Sequence, residues 1–332
     1  MKITIISLSF LPNVGGLENI MSGLALEWSL SNDVTVFTNT KDDTFDIYYP
    51  YKIIRKFSLY DLWKSVINSD ILVEANVSLK TALIGLFHQK KWVIIHHGIY
   101  NQNTLPGRLK KILLLFANNI AVSKYVSSKL NSKAFVIYNF YNSIFKKISE
   151  IIRINDLVFV GRLVSDKGVD LLLFAIHEFK KKGLVYNLSI IGDGPEINNL
   201  IIICKKLNIS NQVKFLGTLT GQSLVRKINE HKVMVIPSRW KEPFGLVALE
   251  GLACGCKIVC PDEGGLKEAS GGFAFLYVHN QIDSLQNAIK LAIESKYSLD
   301  EEFLIDSHLN KLSSFQVAEA YLNHFKIILN VL

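Results

Sequence analysis

The chain has 332 residues, enough for two hydrophobic cores, and its 20% charged and 49% hydrophobic residues are typical of a globular protein. No apolar run approaches about 18 residues, so no helix is expected to span a membrane. Most of the net charge of +8 lies in residues 1–150, where 17 Lys and Arg stand against 10 Asp and Glu. Such an excess indicates an anionic partner (membrane surface, phospholipid, pyrophosphate carrier or nucleic acid) or simply a basic, soluble surface.

In the first half, short apolar runs alternate with longer stretches at helical spacing, which predicts β-α units on a parallel sheet. We interpret the first run as a strand rather than a signal peptide, because no small-residue cleavage site follows it. The predicted strands of this half are Ile3–Leu8, Val34–Phe37, Ile71–Val73, Trp92–Ile95, Ile120–Val122 and Phe135–Ile137.

The same alternation continues after a stretch at 138–156 that lacks an apolar run. We place the domain joint there, with domains at 1–150 and 151–332, and the last helix could cross back to the first domain. Two doubly wound α/β domains are expected to bind ligands at the carboxyl ends of their strands, across a cleft. The pattern at 314–329 predicts a long amphipathic helix. The predicted strands of this half are Leu157–Val160, Leu188–Ile191, Val213–Leu216, Val233–Ile236 and Lys257–Cys260.

Loops after the strands of the first half hold candidate ligand contacts. Gly15 and Gly16 would let a ligand approach the backbone, although a tight turn without a ligand fits equally well. His96 and His97 end a strand; a structural role is common there, and a strand end at a cleft favours ligand contact for His97. The basic, apolar segment at 105–116 fits a helix docked on its own sheet or one on an anionic membrane.

In the second half, Gly161, Arg162 and Lys167 lie between a strand and a helix. The planar fork of an arginine and the point charge of a lysine suit a diphosphate, although two solvated surface cations fit the same pattern. Gly192 follows the next strand in a glycine turn that could flank a nucleotide base, although Asp193 beside it could simply cap a helix.

Glu242 and Glu250 are the most informative pair in the chain. They lie eight positions apart, and the apolar run Val233–Ile236 precedes them. Glu242 is therefore expected in a strand-to-helix loop, with the backbone N–H groups of Gly245 and Leu246 nearby. A helix N-terminus favours anions, so this loop could seat a phosphorylated ligand whose hydroxyls bind the two carboxylates.

The sequence shows no pattern that is typical of a metal site or of a cysteine-based site. No Asp-x-Asp occurs, and a metal-bridged diphosphate usually needs such carboxylates, so positive charge would come from Arg162, Lys167 and helix N-termini. The four cysteines lack a familiar zinc spacing and are interpreted as small buried residues in a reducing, cytoplasmic setting.

Together, in this order, the motifs resemble the retaining glycosyltransferases of family four, which have the GT-B fold of two Rossmann-like domains. The resemblance runs from end to end, and the family's E-x7-E at Glu242 and Glu250 carries most of it. After Asn139 the chain departs from the family, with Phe140 and Tyr141 where glycine and a small apolar residue are usual. The other matching motifs are Gly15-Gly16-x-Glu18, His97-Gly98, Val136–Asn139, Gly161-Arg162-Leu163 with Lys167-Gly168, Gly192–Pro195, and Pro261 with Gly264-Gly265 and Glu268.

The resemblance also implies a role for each matching residue. Arg162 and Lys167, with Gly161 and Gly192 beside them, would hold the donor diphosphate, and Glu250 would bond the ribose. Glu242, with the amides of Phe244, Gly245 and Leu246, would bind the donor sugar and phosphate. Gly16 would let the backbone approach the diphosphate or acceptor, and His97 would lie near the breaking bond.

By resemblance, the chain is expected to be a retaining, hexosyltransferase-type enzyme that uses a nucleoside-diphosphate sugar without metal or other cofactor. The acceptor would be a saccharide or lipid-linked precursor in polysaccharide, glycolipid or lipopolysaccharide assembly at the inner membrane face, with no nucleic acid partner. A GT-B sugar-nucleotide epimerase, a phosphorylase and an inactive membrane-surface scaffold are the alternatives.

Overall fold

The computed structural model describes residues 1–13, 15–41, 46–88, 91–101, 103–130 and 132–330. The chain forms two compact units, one of residues 1–140 with 312–332 and one of residues 141–311. The division falls inside the polar stretch chosen for the joint, but before Tyr141 rather than after residue 150. Residues 312–332 belong to the N-terminal unit, so the last helix crosses back to it, which the sequence analysis had allowed.

The N-terminal unit contains a sheet of seven described strands, all parallel, in the order β3-β2-β1-β4-β5-β6-β7. Its central strands are buried on both faces, which is why their sequences are continuous apolar runs. The strands are β1 Lys2–Ile6, β2 Asp33–Thr38, β3 Lys52–Arg55, β4 Ile71–Ala75, β5 Trp92–His96, β6 Asn118–Ala121 and β7 Ala134–Val136.

The strand order fixes which helices share a face of this sheet. The chain moves from β1 outward to β3, then returns to β4 and continues in the opposite direction to β7. Because parallel crossovers are right-handed, the helix after β1 lies on one face and the four later helices lie on the other. The helices are α1 Gly16–Ser29, α2 Leu59–Ile67, α3 Ala82–Phe87, α4 Leu105–Leu113 and α5 Lys124–Leu130.

The second unit contains a sheet of six described strands, also parallel, in the order β10-β9-β8-β11-β12-β13. Its core packs α6 and α11 against this sheet. The elements are β8 Asn155–Val160, α6 Val169–Lys181, β9 Leu188–Ile191, α7 Ile197–Lys206, β10 Val213–Phe215, α8 Gly221–Asn229, β11 His231–Val235, α9 Leu246–Ala253, β12 Lys257–Pro261, α10 Leu266–Ala269, β13 Phe275–Tyr277, α11 Ile282–Glu294 and α12 Leu299–Lys311.

The last helix, α13 Ser314–Ile328, returns to the N-terminal unit, and the amphipathic helix predicted at 314–329 is confirmed. It packs on α1, where the fully buried Trp28 ring lies edge-on to Tyr321 and Phe325, with centroid distances of 5.7 and 5.2 Å. The indole N–H of Trp28 donates to the carbonyl of Ala318 at 3.2 Å. The core of the first unit therefore includes residues from both ends of the sequence.

Candidate functional site

The candidate site of the second unit lies in the loops at the carboxyl ends of β8, β9, β11 and β12. Three of these loops approach one another so closely that only glycine fits. A Cβ on Gly192 would lie 1.9 Å from the carbonyl oxygen of Gly161, and one on Gly168 would lie 2.0 Å from that of Pro237. The predicted glycine positions 161 and 192 are thus brought into direct contact, both with positive φ.

Lys167 and Glu242 form an ion pair between the loops that follow β8 and β11. Ser238 donates from its Oγ to the same Glu242 oxygen, Oε1, at 3.2 Å. The other carboxylate oxygen of Glu242 makes no hydrogen bond within the described part of the chain. Both side chains are partly buried. The cation and the carboxylate predicted from the sequence thus form one ion pair, and the second carboxylate oxygen of Glu242 can still accept a hydrogen bond.

Arg162 completes the cationic side of these loops. It lies between β8 and a turn of 3₁₀ helix at Ser165–Lys167, and its side chain is exposed. Its guanidinium makes no hydrogen bond or ion pair among the residues that the structure describes. A fork of donors without a protein partner is suited to an anionic ligand.

Phe244, Gly245, Leu246 and Glu250 lie on one continuous segment that enters and forms α9. Gly245 precedes the helix with φ 109°, and no side chain caps it. The first amides of α9 have no intrahelical carbonyl to bond, which leaves them for a ligand or water. Phe244 is buried beneath this turn. The helix therefore begins at the backbone donors predicted from the sequence, Gly245 and Leu246.

Glu250 is a half-buried carboxyl on α9, and no side-chain hydrogen bond to it is present in the described residues. Burial alone raises its pKa to about 7. A carboxyl that is desolvated without a protein donor indicates a site that a ligand completes. It lies just over one turn into α9 and eight residues after Glu242, on the helix where the sequence pattern placed it.

Glu74 shows what a structural carboxyl looks like in the same chain. It lies at the end of β4, fully buried, and burial raises its pKa to about 7 as well. Unlike Glu250, it accepts three hydrogen bonds, from the N–H of Ser78 at 2.9 Å, the hydroxyl of Thr81 at 2.5 Å and the indole of Trp92 at 3.2 Å. Its hydrogen-bonding capacity is used within the fold.

In the N-terminal unit, His97 follows β5 and has its backbone fixed by Asn76, whose Oδ1 accepts the His97 N–H at 2.9 Å. Its Nε2 is buried and has no hydrogen-bond partner in the described structure. Burial, and to a smaller extent His96, lowers its pKa to about 3, so His97 is neutral at physiological pH. A neutral imidazole with an unsatisfied ring nitrogen suits contact with a polar ligand atom.

His96, in contrast, has a structural role. Its Nε2 lies 2.9 Å from Oδ1 of Asn119, and its Nδ1 lies 2.8 Å from the hydroxyl of Tyr100. The Asn119 amide donates to two backbone carbonyls, so its oxygen is the acceptor and His96 Nε2 carries the proton. The choice between the two histidines thus follows from which one has its nitrogens satisfied.

Gly16 is the first residue of α1, after Gly15. Glu18 accepts a hydrogen bond from the hydroxyl of Ser9 at 2.5 Å, and a Cβ on Gly15 would lie 2.3 Å from Oε2 of Glu18. Val14, in the same motif, lies outside the described residues. The turn is fixed by its own side chains, and ligand approach at Gly16 stays a prediction.

Sequence reasoning missed the clamp that holds these loops together. The Arg239 guanidinium bonds both carboxylate oxygens of Asp170, at 2.6 and 2.7 Å. The backbone N–H groups of Arg239 and Trp240 donate to the carbonyl of Asp166 at 2.7 and 3.1 Å. These contacts fix the 165–168 turn against the loop after β11. No spacing rule links Asp170 to Arg239, so the sequence held no signal for the pair.

The contact of Gly168 with Pro237 gives a direct test of loop positioning. Gly168→Ala is expected to destabilise the chain and weaken nucleotide binding, because φ is 68° and the new Cβ would clash with a backbone carbonyl. Gly183→Ala is the matched control: φ is 77°, but nothing lies within 4 Å of its Cβ. The control should cost about 1–2 kcal/mol in urea unfolding, and Gly168→Ala clearly more. Equal losses in the two variants would contradict the tight approach.

Solved structures with the same fold cover nearly the whole chain. HepE (Alr3699) of Anabaena, in complex with UDP, superposes with a TM-score of 0.81 at 19% identity, over 98% of this chain and 100% of that one. The lipopolysaccharide outer core galactosyltransferase WaaB superposes with a TM-score of 0.75 at 18% identity, over 100% of both chains. At these identities the likeness establishes the fold, and the fold is that of the GT-B glycosyltransferases, as predicted.

Sequence comparison adds the family. The description "Glycosyl transferases group 1" matches residues 143–304, almost the whole second unit, and this unit belongs to that family. The uncharacterized glycosyltransferase MJ1178 of Methanocaldococcus jannaschii is 31% identical over 231 residues, which cover 63% of this chain and 61% of that protein. The chain spans less than two-thirds of the length of the curated relatives that it matches first.

Proposed function

We propose that the protein is a retaining glycosyltransferase that moves a sugar from a nucleoside diphosphate to a saccharide or lipid-linked acceptor. The observation that carries this proposal is Glu250, desolvated and without a protein donor, on the helix that starts beside the Lys167–Glu242 pair. A ribose with two hydroxyl donors would satisfy that carboxylate. Membership of the second unit in the group 1 family supports the same class of substrate.

In this proposal the diphosphate lies against Arg162, Lys167 and the first amides of α9. Breaking the sugar–phosphate bond builds negative charge on the leaving diphosphate and positive charge on the sugar ring. Fixed donors aimed at the diphosphate stabilise the transition state more than the ground state. These cations and amides do so with no metal ion, and this metal independence is tested by adding a chelator.

Retention requires that the acceptor oxygen bond the anomeric carbon on the face from which the diphosphate leaves. The acceptor loses its hydroxyl proton, and the leaving phosphate oxygen takes it. Glu242, with the amides of Phe244, Gly245 and Leu246, would hold the sugar hydroxyls and phosphate, and neutral His97 would contact the sugar beside the breaking bond. Gly16 would allow backbone approach to the diphosphate or acceptor.

We place the reaction in the cytoplasm, at the inner face of the membrane, in polysaccharide, glycolipid or lipopolysaccharide assembly. The similarity of fold to a lipopolysaccharide galactosyltransferase supports this setting. Among the described residues, no helix combines the length and apolarity needed to cross a bilayer. In this proposal contact with the membrane is peripheral, and the basic N-terminal unit is the part that would make it.

The proposal is tested by a nucleotide-sugar screen. UDP-, GDP- and ADP-sugars are added to the purified chain, and melting temperature and slow donor hydrolysis are measured with and without EDTA. One base series should raise the melting temperature, and ligand at 100-fold over Kd should add about 2.7 kcal/mol. If no nucleotide stabilises the chain, the proposal is wrong. If the donor is converted into an epimer without an acceptor, the protein is an epimerase. If EDTA abolishes nucleotide stabilisation or donor hydrolysis, the proposed metal independence is wrong.

A further inference from the structure

Three neighbouring helices of the N-terminal unit carry large apolar side chains on their solvent side. The right-handed crossovers place α2, α3 and α4 on the same face of the sheet. In globular proteins the outer side of such helices is usually polar, because only the inner side packs on a core. Here the outer sides break that rule on all three helices, and extended exposed apolar surface usually marks a contact surface.

The clearest example is α3 and the turn before it. Leu83 and Phe87 lie four residues apart on one face of the helix, and Leu79 is exposed in the turn before it. Leu83 is 70% exposed and Phe87 is 83% exposed. The inner side of the same helix is packed so tightly that a Cβ on Gly85 would lie 2.4 Å from the Trp92 ring.

The stripe on α2 adjoins the one on α3, since the two helices are in contact. Leu59, Tyr60, Trp63 and Ile67 are all exposed, with the spacing of one helical face. On α4 and the turn after it, the exposed apolar side chains are Leu105, Leu109, Ile112, Leu115 and Phe116. We call the exposed apolar side chains of these three helices the outer helix face.

Positive charge predominates in the segment of the chain that carries the outer helix face. Residues 56–116 carry eight Lys and Arg against three Asp and Glu. Of these carboxyls, Glu74 is buried, Asp61 is engaged in capping α2, and Asp70 accepts a backbone N–H. Lys64 and Arg108, which flank the stripes on α2 and α4, make no ion pair within the described structure.

A groove of about 400 Å³ beside α2 adds to this charge. Residues of α2 and of β1, β2 and β3 line it, among them Lys2, Lys52 and Lys64 together with Asp33 and Asp61. The hydroxyls of Thr4 and serines on and after α2 form its floor. The groove thus offers cations and hydroxyl donors next to an exposed apolar stripe.

We infer that the outer helix face docks on an anionic lipid bilayer, with its apolar side chains in the headgroup–acyl boundary and its lysines and arginines on lipid phosphates. Apolar stripes spread over three helices and rimmed by cations match the chemistry of that surface. The inference rests on the proposed function, which places the acceptor at a membrane. It adds that α2, α3 and α4 are the part of the chain that contacts the membrane.

The test is co-sedimentation of the intact chain with vesicles of phosphatidylcholine alone or mixed with phosphatidylglycerol. The unaltered protein should sediment only with the anionic vesicles. Leu83→Glu with Phe87→Glu should weaken this binding about tenfold or more. Lys64→Gln or Arg108→Gln should each weaken it about fivefold at low salt.

Leu299→Glu with Phe303→Glu is the matched control. These side chains are 84% and 72% exposed on α12 of the second unit, so the same chemical change falls outside the outer helix face. Vesicle binding should be unchanged in this control. In a Trp240→Phe background, Trp63 emission should shift to the blue on anionic vesicles, because the other two tryptophans are fully buried.

Three outcomes would overturn the inference: protein left in the supernatant, equal loss in the α12 control, or an α3 variant that only converts a dimer to a monomer. Donor hydrolysis without vesicles separates the two proposals. If donor hydrolysis persists while vesicle binding is absent, the inference of membrane docking is wrong and the proposed function stands. If vesicle binding persists without any nucleotide effect, the proposed function is wrong and membrane docking stands.

Discussion

Replacing Lys167 with alanine is expected to lower the rate of sugar transfer by about 10²–10³-fold while the chain stays folded. Lys167 sits between loops rather than in a core, so its loss removes charge from the site without opening a cavity. Arg162→Ala should have a comparable effect, because its guanidinium has no structural partner to lose among the described residues. The measurement is single-turnover transfer with the donor identified by the nucleotide screen.

Lys206→Ala is the control for Lys167→Ala. Lys206 is an exposed cation at the end of α7 in the same unit, and it has no ion pair in the described structure. Its loss should leave transfer unchanged. Glu242→Gln separates the two partners of the pair: if Lys167 acts only by orienting Glu242, the two single variants should lose the same activity and the double variant no more. Unaltered turnover in both Arg162→Ala and Lys167→Ala would refute the diphosphate site.

Replacing Glu250 with glutamine is expected to abolish tight donor binding and, above about pH 7, to make the chain more stable. Burial raises the pKa of Glu250 from its ordinary 4.5 to about 7, so the folded state binds this proton more tightly than the unfolded state. Stability is therefore lost as pH rises from 4.5 to 7. A neutral glutamine avoids that loss, which amounts to at most about 3 kcal/mol.

The readout is melting temperature against pH for both proteins. The curves should meet near pH 4.5 and separate as pH rises through 7, with the glutamine variant higher. Donor affinity in the unaltered protein should increase over the same window, since the ribose hydroxyls bind the carboxylate, and this dependence should vanish in the variant. Glu74→Gln is the control: it should destabilise, because it disturbs three hydrogen bonds. If Glu250→Gln were less stable than the unaltered protein at pH 8, this would contradict the absence of a protein donor to Glu250.

The sequence was sufficient for most of the fold because buried parallel strands are continuous apolar runs. The two strands it missed, β3 and β13, are both at sheet edges. β3 is only Lys-Ile-Ile-Arg and β13 is only Phe-Leu-Tyr, and most of their side chains are partly exposed. An edge strand has one neighbour and a partly solvated surface, so its composition resembles that of a loop.

For the candidate site, residue types and their order could be predicted from the sequence, but their pairings could not. Gly192 was predicted in a turn, and Gly161 and Gly245 in strand-to-helix loops; all three have positive φ. The Lys167–Glu242 pair, the Arg239–Asp170 clamp and the unsatisfied nitrogen of His97 depend on contacts between loops far apart in the chain. Burial of a single carboxyl, which distinguishes Glu250 from solvated glutamates, likewise requires the three-dimensional environment.

The return of α13 to the first unit affects how the chain is made. The buried Trp28 takes its packing partners from Tyr321 and Phe325, so the N-terminal unit cannot complete its core until residues 312–328 have left the ribosome. The second unit, at 141–311, is contiguous and is synthesised before them. Domains usually fold in the order of synthesis. In this chain the second unit can finish first, and the first unit waits, incompletely packed, for translation to supply its last helix.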